Sequence, residues 1–443
     1  MWDSTRDIWV NNRMKIMKII RILQLSDIHW KKQLDAADDY TDIRDQMLQD
    51  LEYYCKGTGN SFDKILICGD IAFSGSEDEY KRANSFIREL CKTVACKSEE
   101  VYTVPGNHDK NVNEHPKCVR EFIHQAISNR GKDCDWLWNK MIDEDFSFIK
   151  KLYTPFKEYN NFCNDERDNA EPFMLRALEM DVDRHNDAEM FWHSEFEDDL
   201  EGYQVNLYGV NSALISDLND YDPDPKRIDG HRLFLPQIAY RGAKCKDGII
   251  NILMCHHPLN FLLNKDTIAK DLDKRYALQL YGHVHIANSD INNNAVHIYS
   301  GSLNPGDVND NTYKPVYNII ELSIEKHDNE NDVLKVDLRV QKYNGEQFVK
   351  DEEQSKPFKV TLKKHDLWKD DNKPVAVIEQ RLPDGLSKRD VRHKFKQCPN
   401  SKEIIQKMYP QIDCTGSAYM RNQVFLEKIR EDNRWVELYN MIK

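Results

Sequence analysis

At 443 residues, with 40% hydrophobic and 10% aromatic content, the chain has enough apolar mass for two or three globular units, or for one large α/β domain with insertions; no run approaches the roughly 18 to 20 continuous apolar residues of a membrane helix. The net charge of -13 argues against a protein built chiefly to hold nucleic acid, which needs a basic surface. Eleven cysteines, odd in number and without a CxxC pair, suit a reducing compartment, and a polar N-terminus without a secretory pattern leads us to expect a cytoplasmic protein.

Short apolar runs recur along the chain, and each ends in polar residues: IIRILQLSDIH at 19–29, DKILICGD at 63–70, VYTVPGNHD at 101–109, QVNLYGVNS at 204–212, IINILMCHHP at 249–258, ALQLYGHVH at 277–285 and AVHIYSGS at 295–302. Near-continuous apolar text of this length predicts strands buried on both faces. Between the early runs, Ile43, Met47, Leu51 and Tyr54 repeat at helical spacing, as do Tyr80, Ala83, Ile87 and Leu90 behind a Ser76-x-x-Glu79 capping box. Strand alternating with helix predicts parallel pairing through crossovers.

The text of 112–203 changes to polar, aromatic-rich helical patterns, too long for an ordinary connection; we expect a helical insertion, serving either as a cap over a site or as surface decoration. Residues 161–201 hold 14 acidic against 3 basic residues, a net of -11, whereas 381–443 hold 13 basic against 8 acidic, a net of +5. A linker with a last strand is expected over 351–379, and a helical module without a ligand cluster over 380–443.

The strand ends carry the chemistry. They present Asp27 and His29, Asp70, Asn107, His108 and Asp109, His256 and His257, and His283 and His285. Carboxylate, imidazole and amide without thiolate form an N/O donor set suited to Mn, Fe or Zn, and strand ends are where an open α/β sheet gathers its ligands. Asp27-x-His29 and His283-x-His285 are read as pairs placed on one face by the two-residue period of an extended strand. Gly69, Gly106 and Gly282 are read as sharp turns before the ligands.

The blocks DIH, GD, PGNHD, HHP and GHVH, in that order, resemble the signature of the calcineurin-like metallophosphoesterase superfamily. The resemblance implies an α/β fold, a four-layer αββα sandwich, over 17–350. It also implies two divalent metal ions, with Asp27, His29 and His285 on one, Asn107, His256 and His283 on the other, and Asp70 bridging. His108 takes the role of general acid and Asp109 that of the carboxylate orienting its imidazole. His257 is left as a second layer or a substrate-facing group. A hydroxide shared by the ions would then attack phosphorus in line while His108 protonates the departing oxygen.

Within the superfamily, GDIAFSGSEDEYKRANSFIRELC followed by VPGNHD resembles the Icc-like branch around cyclic-nucleotide phosphodiesterases, so the expected activity is hydrolysis of a nucleotide-type phosphodiester. The alternatives are a DNA or RNA nuclease of the SbcD type, favoured by the basic C-terminal module and opposed by the overall acidity, and a metal-binding interaction scaffold without catalysis. A phosphoesterase with a small helical appendage also resembles bacterial effectors, phage-defence systems among them, whose appendage recruits a protein partner. His115, His124, His185, His193, His231 and His297 lack metal spacing and are read as structural or exposed, with His297 a candidate to support the site. Trp136, Trp138 and Trp192 are read as packing, and Cys68 and Cys255 as small buried hydrophobes.

Overall fold

The computed structural model describes residues 18–31, 41–114, 151–164, 190–217, 220, 232–304, 314–328 and 330–362, with parts of 117–125 and 382–442. Strands β1 (Ile20–Leu25), β2 (Lys64–Ile67) and β3 (Val101–Thr103) pair in parallel, joined by α1 (Thr41–Thr58) and α2 (Glu77–Thr93). The predicted apolar stripes face inward: Met47 and Leu51 of α1, and Tyr80, Ala83, Ile87 and Leu90 of α2, are buried. At the start of α2, Glu79 accepts from the Ser76 backbone N–H at 3.0 Å, which satisfies a donor that the first turn leaves open.

Helix α3 (Lys157–Asn164) lies in the insertion. The insertion is not helical to its end, because Phe191–Glu195 forms strand β4, antiparallel to β5 (Gln204–Val210). Trp136, Trp138, His115, His185 and His231 lie outside the described residues. After the short α4 (Gln237–Tyr240) come β6 (Ile249–Cys255), α5 (Lys265–Arg275), β7 (Leu278–Tyr281), β8 (Asn288–Asn292) and β9 (Ala295–Tyr299). They build a second sheet of order β4-β5-β6-β7-β9-β8, in which β5, β6, β7 and β9 are parallel.

Four further strands close the first sheet: β10 (Val316–Glu325), β11 (Val333–Tyr343), β12 (Phe348–Lys350) and β13 (Lys356–Thr361). Strand β10 lies antiparallel to β1, giving the order β12-β11-β10-β1-β2-β3 with β13 beside β11. Of these four, only β13 is expected from the sequence. Both sheets contribute to one continuous hydrophobic core, in the mixed α/β two-sheet architecture of the expected sandwich. At the seam Tyr102 of β3 stacks on Trp192 of β4 at 5.7 Å, and the Trp192 Nε1–H donates to the Thr103 carbonyl at 3.1 Å, so Trp192 is a packing residue.

Further along, α6 (Ser401–Met408) and α7 (Trp435–Met441) share a separate small hydrophobic cluster that includes Phe395, Phe425 and Leu438. Among the described residues no helix is long and apolar enough to cross a membrane.

Strand register positions the site. Leu25, Ile67 and Thr103 are paired across the first sheet, and Val210, Cys255, Tyr281 and Tyr299 across the second. The C-terminal ends of these strands are therefore level within each sheet, and the polar blocks begin immediately beyond them.

Candidate metal centre

Asp27 and His29 lie beyond the end of β1, and His283 and His285 beyond β7, so the two-residue strand period does not align them. All four adopt left-handed backbone, with φ of 53°, 51°, 70° and 57°, and Asp70 joins them at 51°. For side chains with a Cβ this region is sparsely populated and costs on the order of 1–3 kcal/mol per residue; it persists only where surrounding structure enforces it. Here the backbone N–H groups of Asp27 and His29 donate to the carbonyls of Gly69 and Asp70, both at 3.0 Å, which locks the two loops side by side.

The glycines also act differently from the reading above. Only Gly69 has positive φ, at 92°. Gly106 and Gly282 are needed for close approach: a Cβ at Gly106 would strike the Asp70 carboxylate, and one at Gly282 would strike the Ser26 hydroxyl and the Cys68 carbonyl. In both places backbone runs directly against a residue of the site.

Two donor sets result. In the first, Asp27 Oδ1 lies 3.1 Å from His285 Nε2 and 3.8 Å from His29 Nε2, and the two imidazole nitrogens are 3.4 Å apart. In the second, Asn107 Oδ1 lies 3.2 Å from His256 Nε2 and 3.0 Å from His283 Nδ1. Asp70 stands between them, its Oδ2 3.3 Å from His256 Nε2 and 4.0 Å from His29 Nε2. Asp27, His29, Asp70, Asn107 and His256 are buried, while His108, His283 and His285 retain partial exposure.

The proton inventory of this cluster fits cations. His256 Nδ1 lies 2.7 Å from the Cys68 carbonyl and must carry a hydrogen there, which leaves Nε2 as a bare acceptor facing two oxygen acceptors in the neutral ring. The facing nitrogens of His29 and His285 can share at most one proton. Lone pairs converging on two points in a buried space are matched by divalent ions, and carboxylate, amide oxygen and imidazole suit Mn, Fe or Zn. Four groups of His and Asp in this region have ligand atoms within 4.8 Å of one another.

Electrostatics run the same way. Burial lowers His29 and His283 to about 3, keeping them neutral as ligands must be. Burial opposes ionisation of Asp27, yet His285 beside it holds the carboxyl down at about 2. For His256 burial is outweighed by Asp70, which raises it to about 9, so this acceptor pair favours positive charge at Nε2.

The two residues after Asn107 divide unexpectedly. The His108 ring bonds through Nδ1 to the Phe73 carbonyl at 2.7 Å, not to Asp109. Asp109 instead accepts from the backbone N–H groups of Ile71, Ala72 and Gly106 at 3.0, 3.0 and 2.9 Å, and from the Tyr80 hydroxyl at 2.9 Å. The orienting acceptor expected of Asp109 is thus a carbonyl, because the buried carboxylate is consumed in tying the second loop to the third. Burial and the nearby Asp70 push Asp109 up to about 6.

His257 is fully buried and belongs with His256 and His283 to one of those four groups. Its ring packs 4.5 Å from that of His283, Nδ1 lies 2.9 Å from the Ser212 hydroxyl, and Nε2 is 3.6 Å from Asp220 Oδ2. The reading missed Ser26, whose hydroxyl donates to Asp27 Oδ2, and Phe73; a serine preceding the ligand was the only signal for the first, and residue type gives none for a backbone carbonyl. His193 stacks on Tyr208 at 4.9 Å, and His124 is buried. Cys68 and Cys255 are buried thiols, each pushed up to about 12 by burial, as expected of small hydrophobes.

Among solved structures the chain is similar to vacuolar protein sorting 29 from Cryptosporidium parvum, at 9% identity and a TM-score of 0.31 over 77% of this chain and 98% of that one. It is similar to GAP50 of Plasmodium at 13% identity and 0.36, over 79% and 90%. It is also similar to the purple acid phosphatase PPD1 of yellow lupin at 11% and 0.35, over 78% and 54%. No curated protein matches in sequence. The family model for calcineurin-like phosphoesterases matches residues 20–287, more than half of the chain and every block of the site, and the chain belongs to that family of metal-dependent phosphoric ester hydrolases.

Proposed function

We propose that the protein is a dinuclear metal-dependent phosphodiesterase acting on a nucleotide-type diester in the cytoplasm. Asp27, His29 and His285 hold one ion, Asn107, His256 and His283 the other, and Asp70 joins them. The observation that carries this reading is the position of Asp70 Oδ2 between two separate sets of N/O donors, which a single-ion or purely structural cluster does not require.

Two bound cations would supply a water of lowered pKa and neutralise phosphoryl charge. The chain's own groups then fix geometry and protons. The Asp70 Oδ1 accepts from the His108 backbone N–H at 2.8 Å, so the residue between the donor sets also holds the acid in place. The Phe73 carbonyl keeps a hydrogen on His108 Nδ1, so the proton delivered to the leaving oxygen comes from Nε2. His257, behind His283, acts as a support. Burial of the donors keeps bulk water from competing for them.

A panel with Mn²⁺ tests the reading: an aryl phosphodiester, an aryl monoester, cyclic nucleotides, and single- and double-stranded DNA, with Asp70→Asn as blank. Hydrolysis of the diester and cyclic nucleotides above the monoester is expected. Preference for DNA with a steep salt dependence would replace the reading with the nuclease, and metal binding without hydrolysis of any member would replace it with the scaffold.

A further inference from the structure

General acid catalysis fixes where the leaving group must lie. The departing oxygen has to come within hydrogen-bond reach of His108, so the carbon skeleton it carries extends over whatever surface borders that imidazole. Phe73 borders it. Its ring centroid lies 5.3 Å from that of His108, tilted by 36°, and 6.1 Å from that of His29. Ile71 and Ala72 before it are fully buried, but Phe73 is only partly so, and the Lys31 ammonium lies 5.0 Å from its centroid.

The side chain of Phe73 takes no part in the hydrogen bonds of its own loop. Its backbone already performs the local tasks, since the N–H donates to Trp30 at 2.9 Å and the carbonyl orients His108. An aromatic side chain kept partly in solvent, beside the acid and bordered by a cation, is a surface that discriminates by shape. Offset contact between flat rings is favourable at centroid spacings of roughly 4.5 to 7 Å.

We propose that Phe73 determines leaving-group specificity, favouring phosphodiesters whose departing alcohol carries a flat ring, as a nucleoside or aryl group does. This rests on the phosphodiesterase reading and deepens it: the backbone of Phe73 sets the tautomer of the acid while its side chain selects what the acid protonates.

The test uses the full-length Mn²⁺-loaded chain and two methyl phosphodiesters whose leaving groups have matched acidity, one a phenol and one a fluorinated alkanol. In Phe73→Leu the aryl-to-fluoroalkyl ratio of kcat/KM is expected to fall roughly 3- to 10-fold, with metal content retained; Phe73→Tyr restores it, and Phe73→Met replaces Leu if that variant folds poorly. An unchanged ratio, or equal loss on both substrates, overturns the specificity role and leaves the phosphodiesterase reading standing. Hydrolysis of neither diester by the wild type overturns the reading and the proposal with it.

Discussion

Two histidine–carboxylate networks in this protein solve opposite problems. At the metal centre, ring nitrogens and oxygens converge as acceptors, Asp27 beside His29 and His285, and burial drives His29 down to about 3. In the second sheet, His297 of β9, one strand in from the edge, lies between two carboxylates, with Nε2 2.9 Å from Asp273 and Nδ1 2.9 Å from Asp290. There each nitrogen faces an acceptor and the ring can donate twice, so burial is outweighed by the carboxylates and His297 is raised. The backbone differs as well: left-handed ligands at the first site, ordinary strand at the second. Burial and proximity are common to both networks. What separates them is that ring nitrogens at the metal centre face one another as well as oxygens, whereas both nitrogens of His297 face carboxylates alone.

The two networks differ most at Asp70. Asp70→Asn removes the charge between the two donor sets, and we expect metal content to fall from about two ions per chain to less than one, with hydrolysis at background. Metal analysis beside an aryl-diester assay checks it; a variant that keeps both ions and its rate would mean the converging acceptors are satisfied in some other way. The next effect is smaller and leaves metal in place. His108→Ala should cost roughly 10²- to 10⁴-fold in kcat, while its metal content matches the wild type.

Asp109, inside the same site, is a buried carboxylate satisfied without metal. Asp109→Asn replaces an acceptor of four hydrogen bonds by one that brings its own donors. We expect a loss of about 1–3 kcal/mol, read as a lower melting temperature, together with a moderate fall in rate as the 105–110 turn loosens. The fall should be equal for good and poor leaving groups, since Phe73 and not Asp109 bonds to the imidazole of the acid. A larger fall on the poor leaving group would restore the orienting role to the carboxylate.

How much of this was legible in the sequence follows from what each feature depends on. The blocks from DIH to GHVH were readable because they are local and because buried parallel strands write continuous apolar text. The left-handed backbone at five of their residues was not, since neither Asp nor His announces the sign of φ. The bond from His108 to Phe73 was silent because a carbonyl belongs to every residue. Strand β11 was missed for another reason: its VLKVDLRV text alternates buried with more open positions, the signature of a half-exposed antiparallel strand, whereas the reading followed continuous runs. Strand β4 was hidden within an acidic stretch whose composition suggested helix.

The smallest effect tests the metal-free side of the comparison. His297 has a folded pKa above its unfolded value, so its contribution to stability is fully present below about pH 6.5 and is lost as pH rises through the raised folded value. Asp290 is about half exposed (49%), so solvent screens one of the two partners, and the total is on the order of 1 kcal/mol. His297→Gln should therefore show a flatter loss of urea stability between about pH 6 and pH 9 than the wild type, with the two curves converging at the alkaline end. Repeating the titration with a chelator should leave that difference between the proteins unchanged, because Asp273 and Asp290 need only the protons of His297. A difference that vanished on chelation would place a cation between these carboxylates and make the second network a metal site as well.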